Sequence, residues 1–317
     1  MLSQVSDHAR AILQALLVTF LWSTSWVLIK IGLDDLPALT FAGLRYTLAF
    51  LLLLPLLGQQ LRAGGLASLR SLSRGDWGAL LLLGLIYYTV NQGALFVALE
   101  VLPAVTLSLL LNFSPVAVAL LGVAFLSERL AAHQWTGIGV FLLGTVLYFY
   151  PQGLSPGAGW GLLVGLAALL ATAVAAILGR HINRSGALHP LTVTVVSMGI
   201  GSPLLLALGL LLQGLPTISW QNWLIIGWLA LVNTAFAFTL WNYTLRTLTA
   251  VESSIINNTM LIQIALLAWI FLGEALSGRE IAGLGVAAFG ILLVQLRRRA
   301  QRADAAVVTG EARQANP

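Results

Sequence analysis

Leu111–Leu147 reads LNFSPVAVALLGVAFLSERLAAHQWTGIGVFLLGTVL, and Asn257–Leu293 reads NNTMLIQIALLAWIFLGEALSGREIAGLGVAAFGILL. Displaced by 146 residues, the two stretches lie over one another with 13 identities in 37 positions. Leucine pairs are cheap in an apolar chain. The pairs Asn112/Asn258, Glu128/Glu274, Gly137/Gly283, Gly139/Gly285 and Gly144/Gly290 are not. The chain therefore carries an internal repeat, and its period is the first constraint on the fold.

Composition says what the repeat is made of. Of 317 residues, 59% are hydrophobic and only 9% charged, and the mean hydropathy is +0.93. Soluble domains are roughly 45–50% apolar and roughly 25% charged. This balance excludes a soluble enzyme, a disordered protein and a nucleic-acid binder, even though the pI is near 10.1. The absence of cysteine excludes disulfides, thiolate metal sites and cysteine nucleophiles. What is left is a polytopic protein whose solvent is lipid.

A helix needs about 20 mostly apolar residues to cross ~30 Å of hydrocarbon. Ten such runs can be read, at 11–31, 38–57, 77–99, 103–126, 134–150, 159–179, 190–212, 221–245, 250–272 and 280–296. They lack the alternation of a barrel strand, so the predicted class is all-α. With the N-terminus in the cytoplasm, 13 of the 16 basic residues fall on the inner side, among them Arg62, Arg70, Arg74, Arg129, Arg180, Arg184 and Arg246. The opposite orientation inverts that bias, so both termini are expected inside. Each repeat then holds five helices, at 11–150 and 159–296. An odd number turns the second copy upside down, an arrangement many secondary transporters share. Residues 297–317 are polar and read as a disordered cytoplasmic tail.

Three stretches carry a resemblance. SERLAAHQWTGIGVFLLGTVL and GEALSGREIAGLGVAAFGILL look like the closing halves of two EamA repeats. LWSTSWVLIKIGLDDLPALTFAGLRYTLAFLLL, with Trp22, Lys30 and Arg45 in order, looks like an opening. Over residues 11–297 the chain resembles EamA exporters of the drug/metabolite transporter superfamily, which include bacterial aromatic amino-acid exporters. The resemblance implies a ten-helix carrier of the inner membrane that exports small metabolites through a central cavity. The related small multidrug exporters couple to protons through a carboxylate in the first helix. No acid stands in the run 11–31, so that property does not carry over.

Polar groups are costly in hydrocarbon and tend to face a cavity or a partner helix. The substrate-binding candidates at mid-membrane are Trp22, Thr24 and Trp26 on the first helix and Tyr88, Asn91 and Gln92 on the third. Ser108 and Asn112 follow on the fourth, Thr234, Trp241 and Asn242 on the eighth, and Ser254 and Asn258 on the ninth. Asn233 and Gln263 lie at the same depth. Tyr88 and Asn91/Gln92 share one helical face, and Ser254 and Asn258 another. Amides, hydroxyls and rings suit a small zwitterion with an apolar side chain. The competing reading is glue between helices, at ~0.6 kcal/mol per bond.

Other residues have two readings each. Arg45 either draws in a substrate carboxylate or is structural, snorkelling outward or pairing with Asp34, Asp35 or Glu100. Glu252 caps the ninth helix or carries a proton. Glu128 and Glu274 sit at equivalent helix–loop junctions and read as fold residues. Pro115 should kink the fourth helix, and Pro103 should open it. The glycines of the fifth and tenth helices fit a homodimer face or packing within the chain. Trp77, Trp135, Trp160, Trp220 and Trp223 read as an interfacial belt.

Catalytic signatures are missing: there is no Gly-x-x-x-x-Gly-Lys-Ser/Thr and no His-Glu-x-x-His, and Lys30 is the sole lysine. The four histidines lie near helix ends, which argues against a metal centre. Neither a cofactor nor a nucleic-acid partner is expected. The expected function is a secondary transporter exporting small amphipathic metabolites, amino acids first. A multidrug carrier of the same fold is the alternative, and a passive channel or membrane receptor stands in a different class.

Overall fold

In lipid a spanning backbone must satisfy its N–H and C=O groups internally, and a chain without barrel alternation can do so only as helices. The computed structural model describes residues 2–118, 120, 131–149, 158–184, 188–244, 247–248 and 250–295. Among them there is no strand, and the long helices number ten. In chain order they are α1 (Leu2–Gly32), α2 (Ala38–Gln60), α3 (Arg74–Val101), α4 (Ala104–Val118) and α5 (Ala132–Phe149). Then come α6 (Ala158–Arg184), α7 (Pro190–Leu212), α8 (Trp220–Trp241), α9 (Ala250–Leu272) and α10 (Gly278–Gln295). Six of these, α1, α2, α3, α6, α7 and α8, are long and apolar enough to cross a bilayer. At 18 residues, α5 and α10 each extend ~27 Å. The stretch 297–317, Glu128 and the side chains of Asn242, Glu252 and Ser254 lie outside the described residues.

Local chemistry sets the ends. Pro37 and Pro103 stand as N-caps of α2 and α4, with φ already near the helical value. Ser73 and Asp76 form a reciprocal capping box at the start of α3. The positive φ of Gly214, 75°, a left-handed backbone that residues with a Cβ rarely adopt, lets the chain turn beyond α7. α4 breaks at Asn112–Phe113, because Pro115 has no N–H to return to Leu111. The Ser114 hydroxyl donates to the Leu111 carbonyl instead.

The packing is paired. α2 lies along α7, α4 meets α9, and α5 lies along α10. α1 packs on α8 and α9, while α6 packs on α3 and α4. α2 also touches α8, and α7 touches α3. Numbering the helices one to five and six to ten, every one of these contacts either joins a helix to its own counterpart or has a counterpart contact.

Glycines allow the closest approaches. A Cβ on Gly144 would stand 2.3 Å from the Ala287 nitrogen and 2.7 Å from the Gly283 oxygen. One on Gly137 would stand 2.8 Å from the Gly290 oxygen. Residues 137 and 144 thus meet 290 and 283, so α5 and α10 run antiparallel. Both readings of these glycines remain chemically sound, but these four spend their small size inside the chain. Gly139 and Gly285 face open space.

Two helices depart from α geometry at matching places. Gly84–Asn91 in α3 and Leu231–Phe236 in α8 are π-helical. Shifted by 146, Gly84–Asn91 falls on 230–237 and encloses the second segment. Such segments recur at functional sites.

The glycine contacts generate a test. Gly144→Val should force α5 from α10 and cost about 1–3 kcal/mol. Gly139→Val should change stability by less than about 0.5 kcal/mol. Thermal midpoints of the detergent-solubilised protein, read by size-exclusion chromatography, compare the two directly.

Candidate functional site

The two π segments face a chain of polar side chains that crosses the bundle. At one end, the Asn91 amide of α3 donates to the Ala168 carbonyl at 2.7 Å and the Thr172 hydroxyl at 2.5 Å, both on α6. Gln92 donates to the Asn91 side-chain oxygen at 3.0 Å and accepts from the Tyr46 hydroxyl of α2 at 2.6 Å. Beside Tyr46 stands Arg45, whose Nε and Nη2 both reach the Thr234 hydroxyl oxygen of α8 at 3.4 Å. Next along α8, the Asn233 amide donates to the Leu21 carbonyl, to Thr24 at 3.1 Å and to Ser25 at 2.9 Å on α1.

The π turn explains part of this. Ala237 N–H bonds to the carbonyls of Val232 and Thr234, passing over that of Asn233. Trp22 Nε1 takes the Asn233 carbonyl at 3.1 Å. Thr234 spends its hydroxyl proton on the Leu229 carbonyl at 2.8 Å, so its oxygen is left to accept.

Rings line both ends of the seam. Trp22 meets Phe238 at 5.4 Å and Trp241 at 5.2 Å. Tyr88 meets Tyr46 at 5.9 Å and Tyr87 at 5.0 Å. Arg45 lies 4.9 Å from the Tyr46 ring centre and 6.0 Å from that of Phe96.

Of the candidates read from sequence, Trp22, Thr24, Tyr88, Asn91, Gln92, Thr234 and Trp241 are therefore brought to one seam. Trp26 is half-buried and packs on the main apolar core. Ser108 and Asn112 bond to carbonyls of their own helix, Val105 at 2.9 Å and Ser108 at 2.8 Å. Asn258 is buried on α9. Ser23 and Gln263 form a separate α1–α9 link at 2.9 Å. Three apolar recesses among the described residues, including one of about 580 Å³ between α9 and α10, contain none of the seam residues.

Arg45, Tyr46 and Asn233 joined the seam without standing among the predicted site residues. Arg45 is only 5% exposed, and among the described residues no carboxylate pairs with it. Asp34, Asp35 and Glu100 are all exposed, and Asp35 accepts from Asn222 at 2.9 Å. Arginine at a helix centre costs ~2.5–3.5 kcal/mol on insertion scales. The only signal available in the sequence was that cost: one arginine in a run otherwise free of charge.

A second polar feature closes the α3–α4 junction. Lys30 Nζ donates to the carbonyls of Leu99 at 2.6 Å, Glu100 at 3.3 Å and Leu102 at 2.9 Å. Glu274 accepts from the Ala104 amide at 2.8 Å and the Val105 amide at 3.2 Å. A cation thus sits on the C-terminal end of α3 and an anion on the N-terminal end of α4, as the helix dipoles require.

Residues 9–150 and 159–296 each match the EamA-like transporter family. The chain belongs to that family. It is an integral membrane transporter rather than an enzyme. Uncharacterized transporter YoaV of Bacillus subtilis is 22% identical, over 71% of this chain and 75% of its own. Uncharacterized inner membrane transporter YedA of Escherichia coli K12 is 29% identical, over 68% of each chain. A probable amino-acid metabolite efflux pump of Salmonella typhimurium is 28% identical, over 72% of this chain and 75% of its own. One solved crystal structure, 21% identical, superposes with a TM-score of 0.61, covering 90% of this chain and 96% of that one. At that identity the likeness is one of fold. The EamA assignment implies a small-molecule substrate and a lipid bilayer around the helices.

The junction carries a prediction for this EamA protein. Glu274→Ala leaves two amides at the start of α4 without a partner and should cost about 1–2 kcal/mol. Glu274→Gln keeps one acceptor oxygen and should lose less. Thermal midpoints of the two variants in detergent give the order.

Proposed function

We propose that this protein exports small amphipathic metabolites, amino acids first, by alternating access between two inverted five-helix halves, 11–150 and 159–296, with both termini in the cytoplasm. One observation carries the reading. The bonds from Asn91 to α6, from Arg45 to Thr234 and from Asn233 to α1 all cross between the halves. The helix contacts of this bundle mostly cross between the halves, and what sets this line apart is that amides, hydroxyls and an arginine from α1, α2, α3, α6 and α8 all meet along it. A site opened from alternate sides belongs on such a boundary, where two rocking halves part.

Inversion has its own support. α5 and α10 are antiparallel and meet isologously: 137 touches 290 and 144 touches 283, with 137/283 and 144/290 as repeat equivalents. A two-fold axis relating two antiparallel helices is perpendicular to both. For spanning helices that axis lies in the membrane plane. The matched π segments agree with the same operator.

The substrate class follows from the seam. Amides, hydroxyls and a guanidinium meet polar groups, while Trp22, Phe238 and Trp241 offer a wall for an apolar side chain. The Salmonella relative's description as a probable amino-acid metabolite efflux pump points the same way. The aromatic wall also favours a second reading, a carrier of apolar drugs, and both belong in one assay.

Purified protein in liposomes should show saturable, competable uptake and counterflow of labelled amino acids, measured with and without a pH gradient. Flux that never saturates and lacks counterflow would identify a channel, and binding without flux a receptor. Asn91→Ala and Gln92→Ala should lower uptake while the protein still inserts, because both carry bonds of the seam. Trp22→Ala should shift selectivity from bulky towards small substrates by about tenfold, the equivalent of ~1.4 kcal/mol of ring contact. Equal losses for both sizes would remove the aromatic wall from the site.

A further inference from the structure

We propose that Arg45 is the carboxylate-binding residue of the transport site and that the side-chain oxygen of Asn233 receives the ammonium, so that the substrate is an α-amino zwitterion. The assignment rests on the amino-acid reading above and narrows it to two atoms.

The guanidinium is the unmatched group. It has five N–H donors, and among the described residues only Nε and Nη2 find an acceptor. Both share one neutral hydroxyl, at the long end of the hydrogen-bond range. Snorkelling needs a path to water, and the residue is 5% exposed. A structural ion pair needs a carboxylate, and Asp34, Asp35 and Glu100 remain outside on the surface. Arg45 lies seven residues into α2, ~10 Å from its start, between α3 and α8. A buried arginine fork without an anion is complementary to a planar, bidentate one.

An orphan acceptor stands on the residue next to Thr234. Asn233 is fully buried, and its side-chain oxygen has no hydrogen-bond partner, although its amide nitrogen has three acceptors around it. Leaving a buried carbonyl-type oxygen unpaired is unusual in a native structure and calls for an explanation. Thr234, which holds the guanidinium, is the next residue, and adjacent Cα atoms are ~3.8 Å apart. The α8 π segment thus carries a cation-holding hydroxyl and a free acceptor on consecutive residues, the first turned to α2 and the second to α1. The tryptophan cluster is bonded to the same pair through Trp22.

The test compares acids with their amides. Uptake of L-phenylalanine, L-leucine and L-threonine into proteoliposomes is measured against competition by each amino acid and by its carboxamide. The wild-type protein should prefer the acids by at least tenfold. Arg45→Gln should collapse that preference to within about twofold, and Arg45→Lys should keep part of it. Asn233→Leu should instead weaken competition by acids relative to their N-acetylated forms.

An intact wild-type measurement guards against a variant that does not fold. Phenylglyoxal modification of Arg45, mapped by mass spectrometry, should be slowed by L-phenylalanine and not by L-phenylalaninamide. An acid preference that survives Arg45→Gln overturns the assignment while leaving amino-acid export intact. So does modification of Arg45 that the acid does not slow. Transport of none of the three amino acids would overturn the export reading itself, and the assignment with it.

Discussion

The structure depends on the cost of an unsatisfied polar group in hydrocarbon. Water cannot complete a hydrogen bond there, so every polar atom must find a partner in the protein or remain at a penalty. The helices answer for the backbone. The side chains then sort by where partners exist. Lipid-facing surfaces carry Leu, Ile, Val and Trp, with Leu143, Leu163 and Ile262 each more than 60% exposed. Many amides and hydroxyls gather on the line where α1, α2, α3, α6 and α8 meet, and others bond to their own helix or one neighbour. The same rule that builds the bundle thus concentrates its chemistry.

The rule also explains the residues that break it. Lys30 and Glu274 are charges near the membrane edge, and each is spent on a helix end whose dipole it complements. Together they hold the Leu102–Pro103 break, where α3 stops and α4 begins, against α1 and the α9–α10 loop. Arg45 has no such use. The contrast between a lysine with three acceptors and an arginine with one is what assigns Lys30 to the fold and carries the proposal of Arg45 for the site.

Much of the architecture was legible in the sequence because hydropathy and turn residues report depth and boundaries. Pro37, Pro103 and Pro115 mark helix starts and a break, and the repeated glycines mark where backbones approach. Azimuth was less legible. Asn91 and Asn112 have similar depth and chemistry, yet one binds another helix and the other its own. Contacts such as Arg45–Thr234 join residues 189 positions apart, and no local pattern encodes them. The π segments were invisible for a related reason. A one-residue expansion of a helix leaves no periodic trace in so uniformly apolar a run, yet it aims Asn233 and Thr234 at α1 and α2.

Symmetry and its failure are both needed. A carrier that alternates between two faces needs two conformations of similar free energy, and a backbone built from matched halves supplies nearly equivalent ones. A fully symmetric site would nevertheless hold its substrate equally well in either direction of its own length. Here the backbone is matched while the side chains are not. The π segment of α3 presents Tyr87 and Tyr88 where that of α8 presents Asn233 and Thr234. At these matched positions one half presents rings and the other an amide and a hydroxyl, and Arg45 of α2 falls opposite Leu191 of α7. On the proposed reading, a ligand with two unlike ends lies only one way round, while the frame that encloses it keeps the freedom to open on either side.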